Sequence, residues 1–192
     1  MSEPSGSAAS WKTLDERVFC ETPWLRVSEA VVATPSRPAG VRWMIAERPT
    51  SAVVAPRTKS GGFLLIRQER IPVRRELWEF PAGQIEGDPT PAAAKETAHR
   101  ELAEEAGAIC AGELFDLGHF FSSAGFTNEC AHLFLATDVA IEPGEARPDA
   151  GEAIHEVREF AADELTQAVA AGLICDANSL AVFARLKARG LL

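Results

Sequence analysis

Three carboxylates close together near the middle of the chain offer the clearest chemistry. Glu101, Glu104 and Glu105 fall in the run Arg100-Glu-Leu-Ala-Glu-Glu-Ala-Gly107. On a helix this spacing crowds all three onto one edge. Like charges at that separation repel, so such an edge calls for a cation. A hard divalent ion such as Mg²⁺ suits it, because it takes carboxylate oxygens, keeps several waters and bridges to phosphates. The plainer alternative is an acidic, solvated helix face.

The flanking residues supply what a positioned helix needs. Thr90 is placed as N-cap with Pro91 in the first turn, and Gly107 can take the left-handed stop. Ala94, Ala98 and Leu102 form an apolar stripe beside the acidic edge. Upstream, Trp78-Glu-Phe-Pro-Ala-Gly83 reads as a strand ending in a turn. Strand, glycine loop and acidic helix together can present backbone carbonyls and carboxylates to one metal cluster.

The segment from Gly83 to Gly107 resembles the Nudix box, the loop–helix signature of hydrolases that cleave nucleoside diphosphates linked to another group. Gly83 matches its start, and Arg100, Glu101, Leu102, Glu104, Glu105 and Gly107 match its end. The middle departs from the pattern: Ala92 stands where the first box Glu belongs, and the loop is about three residues longer. Glu96, one turn before Arg100, is spaced to pair with it instead. Gln68-Glu-Arg70, Pro72-Val73 and Glu76–Gly83 resemble the ADP-ribose pyrophosphatase branch, as does the stretch Gly172–Ala177. The loop Ser122–Glu129 is similar to a loop of that branch, with Ala124 in place of its proline.

The resemblance implies a set of roles. Glu101 and Glu105 are the principal metal ligands, Glu104 is a supporting ligand counted among the catalytic residues, and the Ala82 carbonyl is a further metal contact. Arg70 contacts the phosphate or ribose of the substrate, and Glu129 lies in the substrate loop. The catalytic base falls in Pro148–Ile154, with Glu152 the candidate and Asp149 the reserve; a merely polar surface loop is the plainer reading there. Trp24 and Trp43 are placed to stack on a base, although each is more often a core or interface residue. The implied cofactor is Mg²⁺, with Mn²⁺ able to substitute. The implied reaction is hydrolysis of ADP-ribose to AMP and ribose 5-phosphate. Another nucleoside diphosphate sugar, such as GDP-mannose, is the runner-up, and a non-catalytic nucleotide-sugar-binding module a more remote alternative. The resemblance also implies a homodimer formed through the N-terminal strands.

Composition bounds these expectations. A chain of 192 residues makes one domain with a small appendage. Its formal charge of −9 disfavours a protein that grips nucleic-acid backbones, but bound cations and a few arginines still permit a small anionic substrate. No segment is apolar enough to span a bilayer and no secretory pattern opens the chain. Cys20, Cys110, Cys130 and Cys175 lie far apart without a C-x-x-C pair and read as small core residues of a reducing, cytoplasmic compartment. His99, His119, His132 and His155 match no compact ligand spacing.

Periodicity and turn signals give the elements. Short strands are expected at Val18–Cys20, Leu25–Ala33, Val41–Ala46, Ser51–Ala55, Phe63–Gln68, Glu76–Phe80, Leu114–Phe121, His132–Thr137 and Ile154–Phe160. Helices are expected at the acidic run, at Ala162–Ala171 and at about Ala177–Arg189, the last capped by Asp176. The expected fold class is α+β: an α/β/α sandwich with a mixed sheet, preceded by a small antiparallel β-sheet. The expected divisions are a mobile tail over residues 1–10, a dimerising sheet over 11–50 and the hydrolase domain over 51–192.

Overall fold

The computed structural model describes residues 10–142, 146 and 151–192, and nearly all of the expected tail lies outside them. The chain forms two compact units. One comprises the described part of Met1–Pro49 with Ser123–Glu129, the other Thr50–Ser122 with Cys130–Leu192.

The first unit is a three-stranded antiparallel sheet in the order β1-β2-β3, from β1 (Lys12–Glu21), β2 (Arg26–Thr34) and β3 (Arg37–Glu47). β1 and β3 run longer than the sequence signals, whereas β2 lies within one residue of its expected bounds. Pro38 lies inside β3 because β3 is an edge strand, where a missing ladder N–H is tolerated. Gly40 takes a left-handed φ of 85°, so the turn-rich composition of Pro35–Gly40 is absorbed into the hairpin. Arg26 on the central strand ties its neighbours together through ion pairs to Glu16 at 2.8 Å and Glu47 at 2.7 Å. The segment Ser123–Glu129 closes on β3: Ala46 N–H donates to the Phe126 carbonyl and Arg48 pairs with Glu129.

The second unit is built on β4 (Ser51–Thr58), β5 (Phe63–Arg70), β6 (Arg75–Glu79), β7 (Ala82–Gln84), β8 (Ala108–Cys110), β9 (Leu114–Phe121), β10 (Cys130–Ile141) and β11 (Ile154–Phe160). The main order is β11-β5-β4-β10-β8, with β6 on β5, β7 on β4 and β9 on β10. The pair β4–β10 is parallel and the rest are antiparallel, so the sheet is mixed. Successive side chains of β4 and β5 serve opposite faces. Ala52, Val54, Leu64 and Ile66 pack with Ala94, Ala98 and Leu102 of α1 (Pro91–Ala106). Val53, Ala55, Phe63 and Leu65 pack with Leu165 of α2 (Ala162–Ala170) and Val182 and Leu186 of α3 (Ala177–Ala188). The expected α/β/α sandwich with a mixed sheet, and the small antiparallel sheet before it, are both present.

Two short strands, β7 and β8, carry too few residues for an alternating pattern to announce them. They flank α1 in sequence, and both pack against it. Trp78 is buried as expected, edge-on to Phe160 with ring centroids 5.1 Å apart. The cysteines are free, but Cys20 and Cys175 are exposed and the other two half-buried, so none belongs to the core. Among the described residues, no helix is long and apolar enough to cross a membrane.

Candidate active site

Helix α1 begins and ends where the sequence says it should. Thr90 accepts from Ala93 N–H, Pro91 opens the first turn, and Gly107 turns left-handed at φ 57° while its N–H closes on Ala103 and Leu102. With the alanine stripe against the sheet, the carboxylates of the third and fourth turns meet β7. Glu101 and Glu105 are buried, whereas Glu104 is half-exposed.

The turn between β6 and β7 closes onto these groups. Ala82 N–H donates to Glu105 Oε2 at 2.8 Å, and Pro81 O accepts from Val54 N–H at 3.0 Å. A side chain on Gly83 would place its Cβ 1.7 Å from Glu101 Oε1, so only glycine lets the carboxylate lie against the backbone there. Arg100 pairs with Glu101 and with Glu104, both at 2.6 Å. These take the role expected of Glu96, which lies exposed: a guanidinium is drawn to the two carboxylates already crowded beside it.

Electrostatics marks the cluster as deprived of counter-charge. Burial pushes Glu105 up to about 9, and the charges of Glu101 and Glu152 add to this against the opposing Ala82 N–H and Arg70. Burial likewise lifts Glu101 to about 7, with Glu152 and Glu104 outweighed only in part by Arg100. Glu152 thus lies within electrostatic reach of both residues, although nearly fifty positions separate it from α1 in sequence. Asp149, the reserve base, lies outside the described residues. Glu105 Oε1 is buried and accepts no hydrogen bond among the described residues. A buried carboxylate oxygen without a donor is costly unless a cation meets it. With hard oxygen donors from Glu101, Glu105 and the adjoining turn, the site fits a divalent metal ion.

Arg70, at the end of β5, is held by Glu79 through Nε at 3.0 Å and Nη2 at 2.6 Å. Burial opposes its charge, but Glu79, Glu105 and Asp176 together raise its pKa. Glu79 is itself buried and also accepts from Gln68. It escapes the sequence reading. Its signal was a carboxylate set between the two large aromatic residues Trp78 and Phe80, which needs a partner once buried.

The other expected substrate residues belong to the first unit. Trp43 donates from Nε1 to the Gly125 carbonyl at 2.8 Å, Glu129 pairs with Arg48, and Trp24 is 65% exposed. Neither tryptophan is a core residue. His155 Nε2 lies 3.2 Å from a carboxylate oxygen of exposed Glu69 and 3.8 Å from one of Glu76, and His119 and His132 lie ring to ring.

A family model described as NUDIX domain matches residues 47–179. The chain belongs to the Nudix family, and it is a Nudix hydrolase. Among curated relatives, this hydrolase is 31% identical over 135 residues to an "ADP-ribose pyrophosphatase" of Bacillus subtilis (strain 168), covering 70% of each chain. It is 29% identical over 136 residues to a "Methanol dehydrogenase activator" of Bacillus methanolicus, covering 71% of each. A crystal structure of an ADP compounds hydrolase aligns with a TM-score of 0.74 over 98% of this chain and all of the other. At 17% identity that likeness speaks for the fold alone. Nudix hydrolases generally use divalent metal ions, in keeping with the donor set around Glu105.

Two outcomes follow from this geometry. A carboxylate whose folded pKa lies above its unfolded value holds its proton more tightly when folded. Stability therefore falls as pH rises from about 4.5 through about 7 for Glu101 and about 9 for Glu105. Thermal melts of metal-free protein from pH 5 to 9 will show that decline, and Glu105→Gln will flatten its upper part. Gly83→Ala will leave a folded protein with Glu101 displaced, and calorimetric titration will show divalent-cation binding weakened by about tenfold or more, a ~1.4 kcal/mol loss of the kind left by one unmade charged contact.

Proposed function

We propose that this Nudix hydrolase cleaves the pyrophosphate bond of ADP-ribose to give AMP and ribose 5-phosphate, using Mg²⁺. The observation that carries the reading is the mutual electrostatic reach of Glu101, Glu105 and Glu152, while Glu105 Oε1 meets no donor among the described residues. The sequence match to an ADP-ribose pyrophosphatase supports the choice of substrate.

Glu101 and Glu105 would hold the cation with the Ala82 carbonyl, and Glu104, paired with Arg100, would support them. Mg²⁺ bound there supplies neutralisation of the phosphate oxygens and a lowered pKa for an attacking water. Glu152 accepts the proton of that water as its oxygen bonds to one phosphorus. The anhydride P–O bond breaks and its electron pair leaves with the departing phosphate. Arg70, fixed by Glu79, binds the phosphate or ribose portion. Trp24, Trp43 and Glu129 are assigned to the nucleotide end of the substrate. We place the enzyme in the cytoplasm, where such small nucleotides and free thiols coexist.

The first unit supports a homodimer in this proposal. It exposes Leu14, Val18, Phe19, Trp43 and Met44 on its strands and Trp11 and Trp24 beside them, apolar side chains that a lone chain would leave in water. Sedimentation at micromolar concentration will give twice the chain mass, and a monomer mass would contradict the dimer.

Chromatography after incubation with ADP-ribose and Mg²⁺ will show AMP and ribose 5-phosphate, and neither without the metal. Glu152→Gln will lower kcat by about 10²–10⁴, the range for loss of a general base, while Mn²⁺ binding persists. Faster release of GMP from GDP-mannose than of AMP from ADP-ribose would move the assignment to another nucleoside diphosphate sugar.

A further inference from the structure

The turn that carries Ala82 is held at three points. Pro81 O is fixed by the sheet through Val54, and Ala82 N–H is held by Glu105 itself. The third point comes from far along the chain: Phe80 N–H donates at 2.9 Å to Oγ of Ser179, a residue ninety-nine positions away in sequence. Both residues are buried, so this hydroxyl is the acceptor that a buried backbone N–H requires.

Ser179 is held in turn. It sits in the first turn of α3, where its own N–H donates to Oδ2 of the N-cap Asp176 at 2.9 Å. The other oxygen of Asp176 is buried and takes no hydrogen bond among the described residues, while the charge of Arg70 acts on the carboxylate. The first turn of α3 therefore reaches both the metal-facing turn, through Ser179, and the charge network of Arg70 and Glu79, through Asp176. The mechanism above uses neither residue.

We propose that Ser179 is a positioning residue of the hydrolytic site: its hydroxyl pins Phe80, and so sets the Phe80–Ala82 turn against Glu105 in the geometry that receives the cation. The proposal rests on the reading of Glu101 and Glu105 as metal ligands. Ser179→Ala removes the acceptor but keeps the α3 cap, which uses the main-chain N–H. Val182→Ala is the matched control, since Val182 is a fully buried residue of the same helix and loosens the same core while leaving the Phe80–Ser179 hydrogen bond in place.

The test is Mn²⁺ binding, read by electron paramagnetic resonance of free Mn²⁺, for wild type, Ser179→Ala, Val182→Ala and Glu105→Gln. We expect Ser179→Ala to weaken the Mn²⁺ Kd about tenfold, the effect of orphaning one buried donor at the site, while Val182→Ala stays within about twofold of wild type. With saturating metal, Ser179→Ala should lower kcat more than it changes KM. A Kd for Ser179→Ala equal to that of Val182→Ala, in a protein whose binding is lost in Glu105→Gln, would overturn the assignment of Ser179 alone. Wild-type binding that survives Glu105→Gln unchanged would overturn the metal reading and this inference with it. If Ser179→Ala does not fold, Ser179→Cys keeps the shape with a weaker acceptor. The same comparison then applies, with wild-type affinity as the contradicting result.

Discussion

A carboxylate removed from water governs this site. Glu105 is packed against the sheet, met by the Ala82 N–H on one oxygen and, among the described residues, by no hydrogen-bond donor on the other. Alone it would keep its proton, and Glu101 and Glu152 reinforce that tendency. Such an arrangement is unfavourable in the metal-free fold and becomes favourable when a divalent charge is present. The surrounding architecture keeps this unfavourable state in place: a helix capped at both ends, a glycine against which Glu101 can lie, and a turn tied to strand and helix.

The arginines divide the work of managing charge. Arg100 sits at the outer rim between Glu101 and Glu104, where it offsets part of their repulsion while remaining partly in solvent. Arg70 is anchored by a buried carboxylate of its own, Glu79. An arginine held by a buried partner is pre-organised, so less freedom is lost when an anion arrives. In the proposed mechanism one pair tempers the metal site and the other prepares a site for phosphate, within a chain of net negative charge.

What could be read from the sequence follows the range of the interactions. The ends of α1 were legible because Thr90, Pro91 and Gly107 act within one turn of themselves. The faces of β4 and β5 followed from unbroken apolar runs between two helical layers. Short strands β7 and β8 were not legible, since three residues cannot show a period. The long reach of β1 and β3 was hidden by exposed polar residues and by Pro38 on an edge. Within the site, local spacing revealed the carboxylate edge of α1, and the family resemblance pointed to Ala82, Arg70 and Glu152. The contacts that complete it, Glu79 on Arg70 and Ser179 on Phe80, depend on which strands and helices become neighbours. Arg100 chose Glu101 and Glu104 over Glu96 for a related reason: the carboxylates of the buried edge had greater need of a cation than one in water.

The central claim is that Glu105 carries a proton in the metal-free fold and yields it to a divalent cation. Titration calorimetry of Mg²⁺ into metal-free protein at pH 7.5, repeated in buffers of different ionisation enthalpy, counts the protons released on binding. The account predicts release approaching one proton per site, which disappears in Glu105→Gln together with most of the affinity. Binding of undiminished strength with no proton released would contradict it.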